Sequence, residues 1–481
     1  MSGVNCPYRK SCGGCTTIGQ DYESTLRKKE KWVENLLRPY VRLDGIVGME
    51  QPLHYRNKVH RVCSYERFGG RERHIAGIYA EGTHRVVPVK HCLIENETAD
   101  AMIDDLMDMV RSFRIRIYNE DTGVGLLRHI LIRTAHATGQ VMVVLVLTSP
   151  VLPGKKHFLK ALLAAHPEIT TVVININDRR TSMVLGEREQ VAYGPGFIED
   201  VLLGKRFRIS SRSFYQVNSV QAERIYAQAI EYAALKGRET VVDAYCGIGT
   251  IGLAASDHAG RVIGVESNAD AAADAAVNAK LNHADHALFI CDDAADYLQR
   301  MAAERKKADV IFMDPPRSGS SEVFLEAAVA VSPGRIVYIS CNPETLARDL
   351  GWLSKHGYRA RKAMAFDQFC FADHVETCVL LVKELADDDE VISIKVNLEG
   401  ISLDQGEYIP DEKPTYGNIK KWIEDKYGLK VSSLYIAQIK DKAGLDKERK
   451  SKPGSGESKV PHCPPDKEAA IMDAFRHFRL I

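Results

Sequence analysis

From about residue 240 the chain alternates short apolar runs with alanine-rich segments of helical spacing. The runs "TVVDAY", "RVIGVE", "ADVIFMD" and "RIVYIS" are apolar on both faces, which predicts a parallel, doubly wound α/β sheet covered on each side. The first half has another rhythm. An amphipathic helix is predicted from about Asp21 to Leu37. "YRNKVHRVCSYERFGGRERHIAGIYAEGTHRVVPV" then alternates apolar and polar positions around a "GG" turn, the pattern of antiparallel strands. A helix follows at 101–112, then strands dominate 126–210, with one helix near 156–165. The long helix in "SFYQVNSVQAERIYAQAIEYA" marks the change of pattern. Beyond the acidic "ADDDE" at 386–390, "YGNIKKWIEDKYG" and "LYIAQIKDKAG" predict two helices leading into the polar, flexible "DKERKSKPGSGESK". Three domains result: 1–205, mainly β, whose helix at 21–37 can pack on the next domain; 206–385, α/β; and 386–481, a small helical extension.

Composition changes this picture little. The apolar share of 45% and charged share of 27% are ordinary for a globular chain. The strongest apolar run, "VMVVLVL", has the length of a strand and not of a membrane span. The N-terminal "MSGVNCPYRK" lacks a signal-peptide core, so no membrane association and a cytoplasmic location are expected. Net charge is zero, yet residues 1–92 hold 16 Lys/Arg against 9 Asp/Glu, a local surplus that suits a polyanion. In that compartment the 11 cysteines are reduced thiols, metal ligands or nucleophiles.

"TVVDAYCGIGTIGLAA" orders a strand, a glycine-rich turn and a helix, with Gly247, Gly249 and Gly252 in G-x-G-x-x-G spacing. Glu266 closes the next strand, where a carboxylate grips ribose hydroxyls, and Asp293 ends a third. A dinucleotide and S-adenosylmethionine both satisfy this pattern. The fourth strand ends in Asp314-Pro315-Pro316-Arg317, whose paired prolines stiffen the backbone behind the aspartate. The fifth ends in Cys341 at the start of "CNPETLARDL". A thiol and a carboxyl at the carboxyl edge of an open sheet, beside a nucleotide-type pocket, point to an active site.

A second group of cysteines has the form of a ligand set. Cys6, Cys12 and Cys15 show C-x5-C-x2-C spacing among glycines, and Cys92 is a distant fourth. The spacing alone allows tetrahedral zinc or an iron–sulfur cluster. Cys63, Cys246, Cys291, Cys378 and Cys463 are read as ordinary thiols. Arg56, Lys58, Arg61, Arg67, Arg71 and Arg73 lie among Tyr55, Tyr65 and Phe68, and "LLRHILIRT" adds Arg128 and Arg133. Cations interleaved with aromatics suit single-stranded or splayed RNA. Lys420, Lys421, Lys426, Lys430, Lys440 and Lys442 form either an auxiliary RNA contact or a solvated helical surface.

Taken in order, "YQVN", "DAYCGIGT", "DPPRSG", "IVYISCNPETLARDL" and "HVET" resemble the RumA/TrmA-type family of S-adenosylmethionine-dependent RNA uracil-5-methyltransferases, over most of residues 1–385. The resemblance implies a Rossmann-like class I methyltransferase domain preceded by a cluster-bearing, mainly β, RNA-binding domain. It implies S-adenosylmethionine as methyl donor, lined by Gln216, Tyr245, Gly247, Thr250, Glu266, Asp293 and Asp314, with Thr250 standing where many relatives carry Asn. It implies Cys341 as nucleophile toward carbon-6 of uracil and Glu376 as the base that removes the carbon-5 proton, with Asp314 beside them. His374 is expected on the same strand face as Glu376, and Cys370 stands where relatives carry Pro. The four cysteines match the members that hold a 4Fe–4S cluster, with zinc the alternative. With Cys6 so near the start, the layout is that of relatives without an N-terminal TRAM domain, which act on 23S rRNA. The expected partner is therefore 23S rRNA, with tRNA second, and the expected state is a monomer. A non-catalytic, metal-stabilised RNA-binding protein and an NAD-type oxidoreductase are the competing functions.

Overall fold

The computed structural model describes residues 3–68, 71–384, 415–443, 463–478 and 480. The "GG" turn at 69–70, the acidic run at 386–390 and the polar stretch at 446–459 lie outside the described residues. Contacts divide the chain into two units, Met1–Lys383 and Glu384–Ile481. Among the described residues no helix is long and apolar enough to cross a membrane.

In the first unit, α1 (Tyr22–Leu37) starts where the Asp21 side chain accepts the Ser24 amide at 2.9 Å. The short β1 (Ile46–Val47) follows. Then come β2 (Lys58–Phe68), β3 (Arg71–Tyr79), β4 (Val86–Pro88), α2 (Glu97–Ser112), β5 (Leu127–Thr134), β6 (Val141–Leu147), α3 (Lys155–Ala165), β7 (Ile169–Ile176) and β8 (Arg188–Tyr193). Among the described residues β2–β8 form a seven-stranded sheet in the order β4-β3-β2-β5-β6-β7-β8, antiparallel except where β6 meets β7.

Strand β6 shows why the two halves of this unit cohere. Every residue of "VMVVLVL" is buried. Val141, Val143 and Leu145 pack with Met102 of α2 and Phe158 of α3. The alternate residues Met142, Val144 and Val146 face the other way, into a core shared with Tyr226, Val310 and Val337. A strand whose two faces enter two cores welds this sheet to the α/β half of the unit.

The α/β half opens with the hairpin β9 (Phe197–Leu202) and β10 (Lys205–Ser210), then α4 (Ser219–Ala233). It continues through β11 (Thr240–Ala244), α5 (Thr250–Ala255), β12 (Arg261–Glu266), α6 (Ala269–Leu281), β13 (Ala287–Cys291), α7 (Ala294–Ala303), β14 (Val310–Met313), α8 (Glu322–Val331), β15 (Arg335–Ser340), α9 (Pro343–Lys355), β16 (Tyr358–Phe366) and β17 (Glu376–Lys383). The sheet runs β1-β16-β17-β15-β14-β11-β12-β13, parallel except for β17. Its order reverses between β14 and β12 on either side of β11, so a crevice opens at the carboxyl ends there. Val33 and Leu37 of α1 pack with Val242, Ile263 and Ile311 of this sheet, and β1 pairs with β16. The helix at 21–37 and the strand after it thus belong with the α/β sheet.

The second unit holds α10 (Tyr416–Tyr427), α11 (Ser433–Lys442) and α12 (Pro465–His477), around Ile419, Ile423, Ile436, Ile439, Ile471 and Phe475. Helix α12 is a third helix where the sequence pattern predicts two. Its signals are Pro465 in the first turn and the spacing of Ala470, Ile471, Ala474 and Phe475.

The fold corrects three of the expected RNA contacts. Arg61 is fully buried, donating to Glu95 through both terminal nitrogens and to Asp100 Oδ1 at 2.8 Å. Arg128 is buried over the Tyr118 ring and donates to the carbonyls of Asn177, Arg179 and Thr181. Arg133 is buried and donates to the carbonyls of Ser211 and Ser213. Each guanidinium ties a loop to the sheet and none faces solvent. Removing Arg61 leaves two carboxyls buried without their counter-charge, which costs about 3–5 kcal/mol. Arg61→Ala is therefore expected to shift the urea unfolding midpoint sharply downward; a midpoint within error of wild type would show that the triad contributes nothing.

Candidate active site

Cys341 follows the buried run "RIVYIS" and precedes α9, so it is held between a strand end and a helix start. Asn342 caps that helix by accepting the Glu344 amide at 3.1 Å, while its Nδ2 donates to the Arg317 carbonyl at 3.1 Å. The thiol's own strand end is thereby tied to the "DPPR" turn on β14. In the antiparallel pair of β15 and β17, Ser340 lies opposite Thr377. One step further along that register sets Cys341 opposite Glu376.

Asp314, Cys341, Glu376 and Arg317 form one electrostatic group. Glu376 is 3% exposed; burial raises its carboxyl above the usual range, Asp314 adds to this, and Arg317 opposes it. Burial also raises Asp314. The Cys341 thiol is pushed up to about 11 by burial and then by the two carboxyls, with Arg317 again pulling down. At neutral pH Cys341 rests as a thiol beside carboxyls that hold protons more tightly than solvated ones.

Two adjoining cavities share Phe214 and Gly247. The smaller, about 30 Å³, is lined by Gln216, Tyr226, Tyr245, Thr250 and Asp314. The larger, about 300 Å³, reaches Glu266 and Asp274. Gly247 has φ +55 with open space where a Cβ would stand, so the turn presents bare backbone to the cavity. At Gly252 a Cβ would lie 2.9 Å from Asp243 Oδ2, the atom that accepts the Gly252 amide at 2.7 Å. That close approach seats α5 on β11. Tyr245, between strand and turn, adopts φ +63, a strained value for a non-glycine residue. Glu266 accepts the Gly247 amide at 3.0 Å and the Asn268 amide at 2.8 Å, one on each oxygen, which leaves further acceptor capacity toward the cavity.

Most of the sequence-derived site residues thus converge. Gln216 Oε1 accepts from Gln368 at 3.1 Å, and Tyr226 and Thr250 line the same cavity as Gln216. Asp293 stands apart from both cavities: it caps α7 through Oδ1, which accepts the amides of Ala295 and Asp296. His374 is not on a strand face with Glu376; it is exposed in the loop before β17, its ring 6.0 Å from that of Phe369. Sequence reasoning missed Phe214, which lines both cavities although 68% exposed, and it gave Arg317 no part in the site. An aromatic two residues ahead of Gln216 was the available signal for the first.

Cys6, Cys12, Cys15 and Cys92 line one cavity of about 360 Å³, together with Arg56 and Lys58. Burial pushes Cys15 up to about 12, with Cys12 and Cys6 adding to it, so these thiols sense one another. Among the described residues no three His, Cys, Asp or Glu side chains close on one ion-sized point. Asp100 Oδ2, part of the Arg61 triad, accepts the Cys92 amide at 2.8 Å and so fixes the distant cysteine. Lys58 is pulled down to about 8 by burial. The side chains of Arg67, Phe68 and Arg71 lie outside the described residues.

The order of the α/β sheet, its single antiparallel strand and the glycine turn facing an acid define a Rossmann-like methyltransferase fold. Comparison with known proteins specifies it further. A family model described as tRNA (Uracil-5-)-methyltransferase matches residues 187–384. An uncharacterised RNA methyltransferase of Caldanaerobacter subterraneus subsp. tengcongensis is 40% identical over 380 residues, covering 78% of this chain and 83% of that one. Another, of Halalkalibacterium halodurans, is 39% identical over 381 residues, covering 78% and 82%. The solved Pyrococcus abyssi tRNA (uracil-54, C5)-methyltransferase, in complex with S-adenosyl-L-homocysteine, aligns with a TM-score of 0.63 at 25% identity, covering 77% of this chain and 86% of that one. The chain belongs to the (uracil-5-)-methyltransferase family of RNA methyltransferases.

Proposed function

We propose that the protein methylates carbon-5 of a uridine in 23S rRNA with S-adenosylmethionine as donor. The observation that carries the methyl-transfer chemistry is the position of Asp314. It lines the donor-side cavity with Gln216 and Thr250, and its charge acts on both Cys341 and Glu376. Donor and nucleophile are thus served by one carboxyl.

The residues present fit the donor. A bare glycine backbone, a strand-end acid with spare acceptor capacity and two joined cavities suit a nucleoside bearing a polar tail. Glu266 would take the ribose hydroxyls, with Tyr245, Gly247, Thr250, Gln216 and Asp314 lining the remainder; Asp293 would act only from the rim. When bound, S-adenosylmethionine supplies an electrophilic methyl carbon.

Carbon-5 of uracil is too weak a nucleophile to take that methyl unaided. Cys341 Sγ, its proton passed to solvent water, bonds to carbon-6 and converts the ring to an enolate whose carbon-5 is nucleophilic. Arg317 favours the thiolate against the two carboxyls. After transfer, Glu376 takes the carbon-5 proton; the C–H pair restores the ring double bond and Cys341 departs. A base raised above the ordinary carboxylate range suits that task, and turnover should climb with pH as Glu376 loses its proton. The exposed Phe214 ring offers a stacking surface for a base turned out of its helix.

Cys6, Cys12, Cys15 and Cys92 would hold a 4Fe–4S cluster. The cysteine spacing and the shared cavity, with the likeness to cluster-bearing relatives, support this reading, and zinc is the alternative. A cluster there would clamp residue 92 to the N-terminal loop. Arg56 and Lys58 would present positive charge at its rim, toward RNA or toward the cluster itself.

The rRNA substrate rests on likeness to the cluster-bearing branch of the family. A tRNA substrate is the second reading, favoured by the names of the matching family model and of the Pyrococcus enzyme.

Incubating unmodified 23S rRNA and bulk tRNA with labelled donor tests both the reaction and the RNA class. Wild type should label 23S rRNA. Cys341→Ala should label nothing, and Glu376→Gln should accumulate an RNA–protein adduct that survives denaturing electrophoresis. Undiminished labelling by Cys341→Ala would remove the nucleophile, and label confined to tRNA would move the substrate. For the metal, anaerobically purified protein should be brown, with broad absorbance near about 400 nm, and Cys92→Ser should be colourless. Colourless wild type carrying stoichiometric zinc would overturn the cluster.

A further inference from the structure

The loop joining β16 to β17, residues 367–375, ends on Glu376 and is held far more firmly than a surface connection requires. Asp367 accepts the Tyr22 hydroxyl at 2.8 Å and Lys29 Nζ at 2.5 Å, both from α1. Gln368 donates to Gln216 in the donor cavity, and its carbonyl accepts Asn218 Nδ2 at 3.2 Å. The Phe369 carbonyl accepts Lys29 Nζ at 3.1 Å and the Cys370 carbonyl accepts the Tyr55 hydroxyl at 3.1 Å. The Phe371 carbonyl takes two successive amides, Thr16 at 2.9 Å and Thr17 at 3.0 Å. Phe371 itself is buried with φ +63. A bulky residue keeps that conformation only where its surroundings over-determine it.

Thr16 directly follows Cys15. Ile18, Cys370 and Phe371 share one apolar cluster, against which Cys6, Cys15 and Cys92 pack. The thiol cavity and the loop that aims the base are therefore mechanically continuous, with the two threonine amides as the joint.

We propose that the Thr16–Thr17 amides are a strap that positions the loop bearing Glu376, and so govern the elimination step ahead of thiol addition. The step at stake is the last one: the carbon-5 proton passes to the Glu376 carboxylate, the C–H electron pair becomes the ring double bond, and the carbon–sulfur bond breaks to release Cys341 as thiolate. A base displaced by about 1 Å slows such a transfer by about 100-fold, whereas a thiol on another strand end is untouched. Thr17 and Tyr55 are positioning residues in this scheme. The inference rests on Glu376 being the base.

The test tracks formation and decay of the covalent adduct in the full chain. Unmodified rRNA from cells lacking the protein serves as substrate, and S-adenosyl-L-homocysteine affinity is measured alongside. Thr17→Pro removes one amide of the strap; Thr17→Ala keeps it. With Thr17→Pro, adduct should form at the wild-type rate but decay at least about ten-fold more slowly. The affinity measurement separates any loss relayed through Gln368 from slowed decay, and hydrogen exchange across 367–376 should be faster. Thr17→Ala should match wild type. Tyr55→Phe removes only the hydroxyl bonded to Cys370, so it carries the test if the proline variant does not fold; it should slow decay in the same direction. Wild-type decay in Tyr55→Phe and in folded Thr17→Pro, while Glu376→Gln still traps adduct, would overturn the strap. Free turnover by Glu376→Gln would instead remove the base on which it rests.

Discussion

Two carboxyls and a thiol brought together at the edge of one sheet are the constraint on which the rest of this structure depends. Asp314, Glu376 and Cys341 sit on three adjacent strand ends; Asp314 raises the proton affinity of Glu376, and both carboxyls raise that of Cys341. Such a group repels itself when ionised, so it holds its shape only if the backbone behind it is rigid. The rigidity is visible: β14 and β15 are buried along nearly their whole length, Pro315 and Pro316 stiffen one exit, and the Asn342 cap locks the other to Arg317. Arg317 is the cation that opposes this rise at Glu376 and Cys341. An arrangement that is costly at rest and relieved by moving protons is what a thiol addition followed by proton removal requires.

The remaining architecture serves that group from outside. The seven-stranded sheet shares a core with the α/β sheet through alternate residues of β6, so the N-terminal half cannot shift without disturbing α4 and β14. Arg133, from β5, holds the carbonyls of Ser211 and Ser213, the turn that presents Phe214 and Gln216 to the cavities beside the glycine turn. Arg61 with Glu95 and Asp100 fixes Cys92. Buried guanidinium groups, which cost much to desolvate unless fully bonded, are used as ties between sheet and loops.

Much of this was legible in the residues. Apolar runs alternating with helical spacing gave the doubly wound sheet, and the placement of Asp314 and Cys341 at its strand ends required only the strand boundaries. Glu376 as the base came from resemblance; the antiparallel insertion of β17, which brings it opposite Cys341, was not expected, since an apolar run does not declare its direction. The arginines misled for a physical reason. In "LLRHILIRT" period-two alternation assigns faces, but whether a face meets solvent depends on loops such as 177–181 and 211–213, distant in sequence, whose carbonyls arrive to cover it. His374 failed likewise, because β17 begins at Glu376 and leaves the histidine in the preceding loop. The strap from Thr16 and Thr17 joins residues more than 350 positions apart, a pairing that no local pattern announces.

The central claim is that Cys341 attacks a uracil ring positioned for methyl transfer from the cavity shared by Gln216 and Asp314. RNA containing 5-fluorouridine tests it most directly, because fluorine at carbon-5 cannot leave as a proton does and halts the reaction after methyl transfer. With S-adenosylmethionine present, mass spectrometry of the digested complex should show one methylated fluorouridine bonded to the peptide carrying Cys341. Attachment to any other cysteine, or an unmodified Cys341 peptide after complete binding of that RNA, would contradict the account.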